Sequence, residues 1–186
     1  PEPSVVRKGR RFLYDAAATS SNGEASCSSC HVFGDMDDLA WDLGNPDDDV
    51  LPNDNPFEFE INFPRPDFHP LKGPMTTQSL RGMANAGPMH WRGDRTGGAS
   101  GGDPLDEELA FKAFNPAFVG LLGRGSQLAA DEMQAFTDFA LTLAYPPNPV
   151  RALDDAPTAE QAAGEAVFTT LPNTDGAGTC NVCHAL

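Results

Sequence analysis

The residues best suited to chemistry lie in two short motifs, one near each end of the 186-residue chain. Cys27, Cys30 and His31 form the first C-x-x-C-H motif, and Cys180, Cys183 and His184 form the second. This spacing is the attachment signature of a c-type haem, because two thiols three positions apart can each bond one vinyl group of the porphyrin. The histidine that follows is then placed to bind the iron. The two motifs contain all 4 cysteines, so the sequence predicts two covalently attached haem c groups.

Three other uses of the cysteines explain the motifs less well. Four cysteines could hold one zinc ion, but the histidine after each pair would then have no role. A thioredoxin-like redox pair needs a βαβ context, whereas the residues around both motifs indicate helices. Two disulfides would make the repeated histidine a coincidence. Haem attachment is therefore the preferred interpretation of both motifs.

The composition indicates many ordered loops and a strongly acidic surface. The chain has 18 Gly, 17 Pro and 40% hydrophobic residues, which favours loops over long regular elements. A net charge of −15 argues against nucleic-acid binding and suits docking of a basic electron donor, such as a small basic cytochrome. No apolar run reaches the length of a membrane helix. The chain starts at Pro1 without a signal peptide, and haem c is attached outside the cytoplasm, so we expect a periplasmic or otherwise exported protein.

Helices are expected next to both motifs. Residues 4–18 and 158–169 share one design: a helical pattern containing one glycine, Gly9 or Gly164, then a polar loop and C-x-x-C-H. This repetition indicates a duplicated unit. In each copy, the glycine would let its helix cross another helix closely. Thr158 is the expected N-cap of the second helix.

Two further helices are predicted between the motifs. Asp103 is expected to cap a helix that has Pro104 at its first position and runs to Phe114. Residues 129–144 show the clearest amphipathic pattern. The apolar face of this segment consists of Met133, Phe136, Phe139, Ala140 and Leu143.

These patterns predict a mainly α fold, with cytochrome c-like helical haem domains and long irregular loops. We place the first haem domain at residues 1–145, and the linker and the start of the second at 146–186. Because the chain ends two residues after His184, the second domain is expected to be incomplete. Residues 57–63 alternate apolar and polar side chains, which predicts one short strand.

Residues 34–70 are rich in aspartate and proline. Clustered carboxylates are hard oxygen ligands, so a calcium site is one interpretation of this region. However, the D-x-D-x-D-G loop pattern is absent, and blocks of like charge are usually solvated. We therefore expect an acidic surface loop here rather than a calcium site.

A haem that transfers electrons needs a second axial ligand, usually His or Met, whereas an exchangeable position suits chemistry at the iron. The side chains between the motifs that could fill this position are His69, Met75, Met83, Met89 and His90. Any one of the methionines could instead be core filler.

The order of short segments along the chain resembles the bacterial di-haem cytochrome c peroxidase and MauG-like family. The matching segments are 9–13, Cys27 to His31, the K-G-P at 72–74, 90–95, 139–143 and 164–184. The resemblance implies a periplasmic protein that transfers single electrons between two haems. It further implies hydrogen peroxide as a substrate, and hence an oxidoreductase.

The resemblance also assigns roles to single residues. His69 matches the distal ligand of the first haem, which precedes the K-G-P segment and is displaced on activation; His90 is the alternative. Trp91 matches the tryptophan that passes electrons between the haems. The Gln and Glu of the peroxidatic pocket have no counterpart, and W-R-G-D-R has one inserted residue. Glu107, in the acidic run 106–108, is then the acid–base candidate.

A function without catalysis is the second hypothesis. The short second unit suggests an electron carrier, a haem sensor or a docking module of a larger redox assembly. An oligomer is compatible with either hypothesis.

Overall fold

The computed structural model describes residues 1–54, 66–152, 154–172 and 178–182. The predicted strand at 57–63 lies outside these residues, as do Cys183 and His184 of the second motif. The chain forms two compact units, Pro1–Tyr145 and Pro146–Leu186.

The described residues are mainly helical, which confirms the predicted fold class. The helices are α1 (Ser4–Gly9), α2 (Arg11–Tyr14), α3 (Ala16–Thr19), α4 (Glu107–Lys112), α5 (Ala117–Gly120), α6 (Ala130–Ala140) and α7 (Ala159–Thr170). Two short strands, β1 (Ala40–Trp41) and β2 (Met75–Thr76), pair antiparallel with Trp41 opposite Met75. No helix in the described part of the chain combines the length and apolar character that crossing a membrane requires.

The predicted helix over residues 4–18 is interrupted at Asp15. α1 and α2 run almost continuously, because Arg10 between them keeps helical dihedral angles. Asp15 is extended, and its carboxylate accepts hydrogen bonds from the backbone N–H groups of Ala17 and Ala18. Aspartate competes with the helical backbone in this way, which is why it favours caps. A new helix, α3, therefore begins immediately after it.

The core of the first unit forms around α6. Its buried side chains are Met133, Phe136, Thr137, Phe139 and Ala140. The predicted apolar face is therefore confirmed for Met133, Phe136, Phe139 and Ala140, but the helix ends at Ala140 rather than at residue 144, and Leu143 packs against the core from beyond its end. The Phe136 ring lies 6.2, 5.0 and 6.0 Å, centroid to centroid, from the rings of Phe12, Phe111 and Phe118. This aromatic cluster attaches α2, α4 and α5 to α6.

Gly9 confirms its predicted role as a close crossing point. A Cβ atom built on Gly9 would lie 2.1 Å from the carbonyl oxygen of Ala135 and 2.3 Å from Cβ of Phe139. α1 can therefore lie against α6 only because position 9 has no side chain. The parallel expectation for Gly164 is wrong for the described residues, since a Cβ there would meet no heavy atom within 4 Å.

α4 starts three residues later than predicted. Asp106, not Asp103, caps it, accepting a hydrogen bond of 2.9 Å from the N–H of Leu109. The carboxylate of Asp103 instead accepts from the N–H of Leu105 and stabilises a turn. Both aspartates suit an N-cap, and the sequence alone did not distinguish them.

The cap predicted for α7 is confirmed. The hydroxyl of Thr158 accepts from the N–H of Gln161 at 3.2 Å, and the Gln161 side chain accepts from the N–H of Thr158 at 2.8 Å. This reciprocal capping box satisfies two backbone donors that the helix itself leaves unpaired.

Candidate haem-binding site

The first C-x-x-C-H motif folds into one compact turn. Cys27–Ser29 is a 3-10 turn, and the backbone N–H of His31 donates to the Cys27 carbonyl at 2.9 Å. The hydroxyl of Ser29 accepts from the N–H of Ser26, which starts the turn. No disulfide joins Cys27 and Cys30 in the described structure. One turn therefore presents two thiols and an imidazole together.

The two thiols lie in different surroundings. Cys27 packs against the hydrophobic core, and burial raises its pKa to about 11. Burial also raises the pKa of Cys30, as does the negative charge of Asp37. Both groups are therefore neutral thiols at neutral pH. A neutral, partly buried thiol is a poor nucleophile and is therefore less suited to redox exchange.

His31 has the orientation of an iron ligand. Its Nδ1 lies 2.8 Å from the backbone carbonyl oxygen of Gln78. Since a carbonyl only accepts, Nδ1 carries the proton and Nε2 keeps its lone pair. Burial lowers the pKa of His31 and favours the neutral ring. Metal-binding histidines usually donate their second nitrogen to such a carbonyl, which fixes the ring and its tautomer.

Large apolar side chains are exposed directly after the motif. They are Val32 (37%), Phe33 (79%), Met36 (44%) and Leu39 (53%). Phe33 has a φ of 54°, in the left-handed region that non-glycine residues rarely adopt. Four large apolar side chains exposed within eight residues are unusual for a solvated loop and indicate a surface that a binding partner could cover. Together with the thiols and the oriented imidazole, this surface fits a covalently attached haem.

His90 lies in a tight loop that is closed by backbone hydrogen bonds between Met89 and Arg95. Met89 and Arg95 exchange backbone hydrogen bonds of 2.7 and 3.3 Å, and the N–H of Gly93 donates to the His90 carbonyl at 2.9 Å. His90 itself has a φ of 69°. Such strained residues persist where the surroundings over-determine them, typically at functional sites.

Asp94 fixes the ring of His90. His90 Nδ1 lies 2.8 Å from Asp94 Oδ1, and Arg92 Nη2 donates to the other carboxylate oxygen at 2.9 Å. The Asp94 side chain is only 1% exposed. Burial alone would raise the pKa of Asp94, but the hydrogen bonds from His90 and Arg92 and the charge of Lys72 lower it far below its usual value. A permanently charged Asp94 holds Nδ1 of His90 and leaves Nε2 for another partner.

His90 and His31 lie close to one short backbone segment. His31 bonds the carbonyl of Gln78, and the indole N–H of Trp91 donates to the carbonyl of Thr76 at 2.7 Å. Charge on His90 also contributes, after burial, to the lowered pKa of His31. The loop that carries His90 therefore lies beside the imidazole of the first motif.

His69 lies in a less favourable position. It is exposed, and its Nδ1 accepts a hydrogen bond from the N–H of Leu71 at 3.1 Å. Its backbone carbonyl accepts from Arg92 Nη1. The geometry thus favours His90 over His69 as the second ligand, which reverses the order drawn from the sequence. Ligation by either residue stays a prediction.

The other candidate residues from the sequence differ in burial and in their contacts. Met89 is buried in the core and Met83 packs against it, while Met75 lies in β2. Trp91 is 61% exposed. Glu107 Oε1 accepts from the N–H of Gly87 at 2.9 Å. Glu107 therefore supports the start of the His90 loop; a role as an acid or base stays a prediction.

The acidic region gathers no cation site in the part of the chain that the structure describes. No group of three or more His, Cys, Asp or Glu side chains lies close enough there to hold a metal ion. The carboxylates instead make local bonds; Asp37, for example, accepts from the indole N–H of Trp41 at 2.8 Å.

The second motif is described only in its first half. Cys180–Val182 forms a 3-10 turn like that of the first motif. It follows α7 and an isolated bridge between Pro172 and Thr179. The two units therefore begin their motifs with the same local conformation.

Two residues of the site were not identified from the sequence. Gln78 is 47 positions from His31, and nothing in its surroundings marks it as a carbonyl acceptor. Asp94 did leave a signal, since it lies four residues after His90 between two arginines. Its central position in a charged cluster could have been inferred from that arrangement.

Comparison with known proteins supports the fold alone. No protein-family model matches the chain, and no curated protein matches it. A solved structure, Kuenenia stuttgartiensis hydrazine synthase pressurised with 20 bar xenon, is similar with a TM-score of 0.53 and 19% identity. The match covers 96% of this chain and 52% of the other, so this chain spans about half the length of its neighbour. The chain therefore shares a mainly helical fold with a chain of hydrazine synthase.

Proposed function

We propose that this protein is a di-haem c-type cytochrome that transfers single electrons. The first unit would hold one haem c through Cys27, Cys30 and His31, with His90 as the second axial ligand. The second unit would hold another through Cys180, Cys183 and His184. The observation that carries the proposal is the hydrogen bond from His31 Nδ1 to the Gln78 carbonyl. It orients Nε2 of a neutral imidazole at the motif whose spacing is specific for haem.

A bound haem would supply a one-electron couple at the iron. The residues of the chain fix its surroundings. Asp94 keeps Nδ1 of His90 protonated, and such a carboxylate partner raises the basicity of the coordinating nitrogen. The exposed apolar side chains after His31 would pack against a bound haem and exclude water from it. Two strong nitrogen ligands and a dry surface favour electron transfer with little rearrangement.

Peroxide reduction is a more specific function than electron transfer, and it rests on the resemblance to the di-haem peroxidase family. Chemistry at the iron needs an exchangeable position, so a reaction with peroxide would require His90 to leave or the second haem to be the reactive one. The Glu107 carboxylate accepts a hydrogen bond from the N–H of Gly87. This contact supports the backbone before the His90 loop and does not make Glu107 an acid for a reaction at the first motif. A haem sensor or a docking module of a larger redox assembly is the competing function, and an electron carrier without peroxide chemistry is the coarser form of the proposal.

The expected partner is a basic redox protein. A chain with a net charge of −15 attracts a cationic partner at low ionic strength and so raises the association rate. Attachment of haem c takes place outside the cytoplasm, so the proposal places the protein in the periplasm or another exported location.

The decisive experiment is spectroscopy on the intact protein and two ligand variants. A pyridine haemochrome assay after denaturation should show two covalently bound haems per chain, whereas a protein without a haemochrome would disprove the proposal. His90→Ala should convert the spectrum of the first haem from low spin to high spin, and His69→Ala should leave it low spin. The reverse pattern would restore His69 as the ligand. Peroxide turnover no greater than in a His31→Ala variant would leave only electron transfer.

A further inference from the structure

Three large apolar side chains are exposed on the ribbon that β1 and β2 form with the residues beside them. Trp41 is 42% exposed, Leu43 is 55% exposed and Leu71 is 57% exposed. Trp41 ends β1, Leu43 follows two residues later, and Leu71 lies on the chain that leads into β2. The proposed packing of a haem uses residues 32–39, and it does not explain why these three side chains are exposed.

Backbone pairing holds the three side chains on one ribbon. Trp41 lies opposite Met75 in the antiparallel pair. Beyond β1, a Cβ atom built on Gly44 would lie 3.2 Å from Cα of Leu71. The chain after β1 therefore stays beside the chain before β2, and this closeness places Leu43 next to Leu71. We call Trp41, Leu43 and Leu71 the ribbon patch.

Exposed aspartates without a counter-ion flank Trp41. Residues 35–49 contain seven aspartates and no lysine or arginine. Asp35 is paired with an arginine, whereas Asp38 and Asp42 are exposed and make no ion pair within the described part of the chain. An apolar centre beside exposed polar groups is the arrangement found in protein–protein interfaces.

Trp41 is connected to the first motif through one carboxylate. Its indole N–H donates to Asp37 Oδ2 at 2.8 Å. The negative charge of Asp37 contributes, after burial, to the raised pKa of Cys30, so this carboxylate lies near the turn that carries the thiols. A partner bound to the ribbon patch would therefore lie close to the haem proposed at that turn.

The charge of the surface selects among the possible occupants. A second copy of this chain carries the same net charge of −15, so two copies repel each other. The phosphates of nucleic acids and of anionic lipids are repelled in the same way. A cationic protein is instead attracted by the exposed aspartates, and apolar side chains on its surface would cover the ribbon patch.

We propose that the ribbon patch and the aspartates beside it form the docking surface for a small basic redox protein. The redox character of this partner rests on the proposed function, whereas the charge and the exposed side chains of the surface do not depend on a haem. Trp41 is the expected anchor, because tryptophan is among the residues that contribute most binding energy at interfaces. The aspartates accelerate encounter with the cationic partner.

The apolar half of the surface is tested with mitochondrial cytochrome c, a small basic haem protein, as the probe. It is titrated into the full chain by calorimetry at low and at high ionic strength. Trp41→Ala removes the anchor, and Leu43→Ala tests the same patch if the first variant fails to fold. Leu121→Ala is the matched control, since Leu121 is 59% exposed and lies outside the ribbon.

The acidic half is tested with a double variant, Asp38→Asn with Asp42→Asn, in the same titration. Asp38 has a φ of 57°, a conformation that asparagine also adopts, so the change removes charge without straining the backbone. The control changes Asp131 and Asp138 to asparagine, because both are exposed aspartates of α6. Test and control variants therefore have the same net charge.

The two halves should respond differently to salt. The Kd of Trp41→Ala should be at least about fivefold weaker than that of wild type at both ionic strengths, because salt does not screen an apolar contact. The Kd of the Asp38 and Asp42 double variant should be about three- to tenfold weaker at low ionic strength and equal to that of wild type at high ionic strength. Both controls should stay within about twofold of wild type, since their changes lie outside the contact.

Absence of binding by wild type at low ionic strength, or an equal loss in either variant and its control, would overturn the proposal. So would a dimer of wild type that Trp41→Ala abolishes in sedimentation, which would assign the surface to a second copy. If the haemochrome assay finds no haem, the proposed function fails, and the titration still decides the docking surface. Haem without the predicted losses in binding would reject the docking surface alone.

Discussion

Removing the carboxylate of Asp94 should destabilise the first unit by several kcal/mol. In Asp94→Ala, Arg92 and Lys72 lose their counter-ion, and breaking a buried ion pair from one side costs about 3–5 kcal/mol. The Arg92 and Lys72 side chains are each 22% exposed, so water takes up part of this loss. We therefore expect a value near the lower limit, about 3 kcal/mol. Asp94→Asn keeps the side-chain shape but removes the negative charge. It should lower the free energy of unfolding by less, about 1.5–3 kcal/mol, because the hydrogen bonds to the charged carboxylate are weakened.

The pH dependence of this deficit identifies its electrostatic origin. The pKa of Asp94 is lower in the folded than in the unfolded protein. Its contribution to stability is therefore complete above the unfolded value, about 4, and is lost as the pH falls towards the folded value. The difference between wild type and Asp94→Asn should be constant from about pH 5 to 7. It should shrink progressively below about pH 4.

Urea unfolding followed by circular dichroism at pH 7 and pH 3 measures both quantities. Asp47→Ala is the matched control, since Asp47 is an exposed aspartate in the acidic loop; it should change the free energy of unfolding by less than about 0.5 kcal/mol. Equal losses in Asp94→Ala and Asp47→Ala would refute the reasoning. So would a deficit in Asp94→Asn that stays the same at pH 3.

Two further predictions test the packing and the proposed electron path. Gly9→Ala would place a Cβ against the Ala135 carbonyl, so it should lower the free energy of unfolding by about 1–3 kcal/mol. Gly164→Ala meets no neighbour and should stabilise α7 by about 0.5–1 kcal/mol, measured by amide exchange of that helix; equal effects of the two changes would contradict the close crossing. Trp91→Phe removes one hydrogen bond from a side chain that is 61% exposed, and should cost no more than about 1.5 kcal/mol. The same change should slow electron exchange between the haems in stopped-flow experiments, and an unchanged rate would exclude Trp91 as the relay.

Local sequence patterns predicted the features that depend on residues within one or two helical turns. The face of α6 follows from helical periodicity, and the Thr158 cap follows from side-chain chemistry within one turn. The start of α4 was wrong because Asp103 and Asp106 are equally good caps. The packing of α4 on α6 decides which of the two aspartates begins the helix. Rules based on neighbouring residues do not include that packing.

The C-x-x-C-H motif was equally easy to find in the sequence, but the contacts that hold its histidine were not. The carbonyl of Gln78 lies 47 positions from His31, and any residue could provide a backbone carbonyl. The sequence therefore carries no signature of this acceptor. Only the folded chain shows which nitrogen of His31 is protonated, and hence which one is free in the proposal to bind iron.

The choice between His69 and His90 depends on the loop that holds each ring. Arg92, Gly93 and Asp94 follow His90 and Trp91 directly in the sequence. In the structure, Gly93 has a φ of 67° and its N–H donates to the His90 carbonyl. This turn brings Asp94 back to His90 without a helix. Among the described residues, the His69 ring accepts a hydrogen bond from the N–H of Leu71, whereas the His90 ring is held by a buried carboxylate, and the proposal of His90 as the ligand rests on this difference.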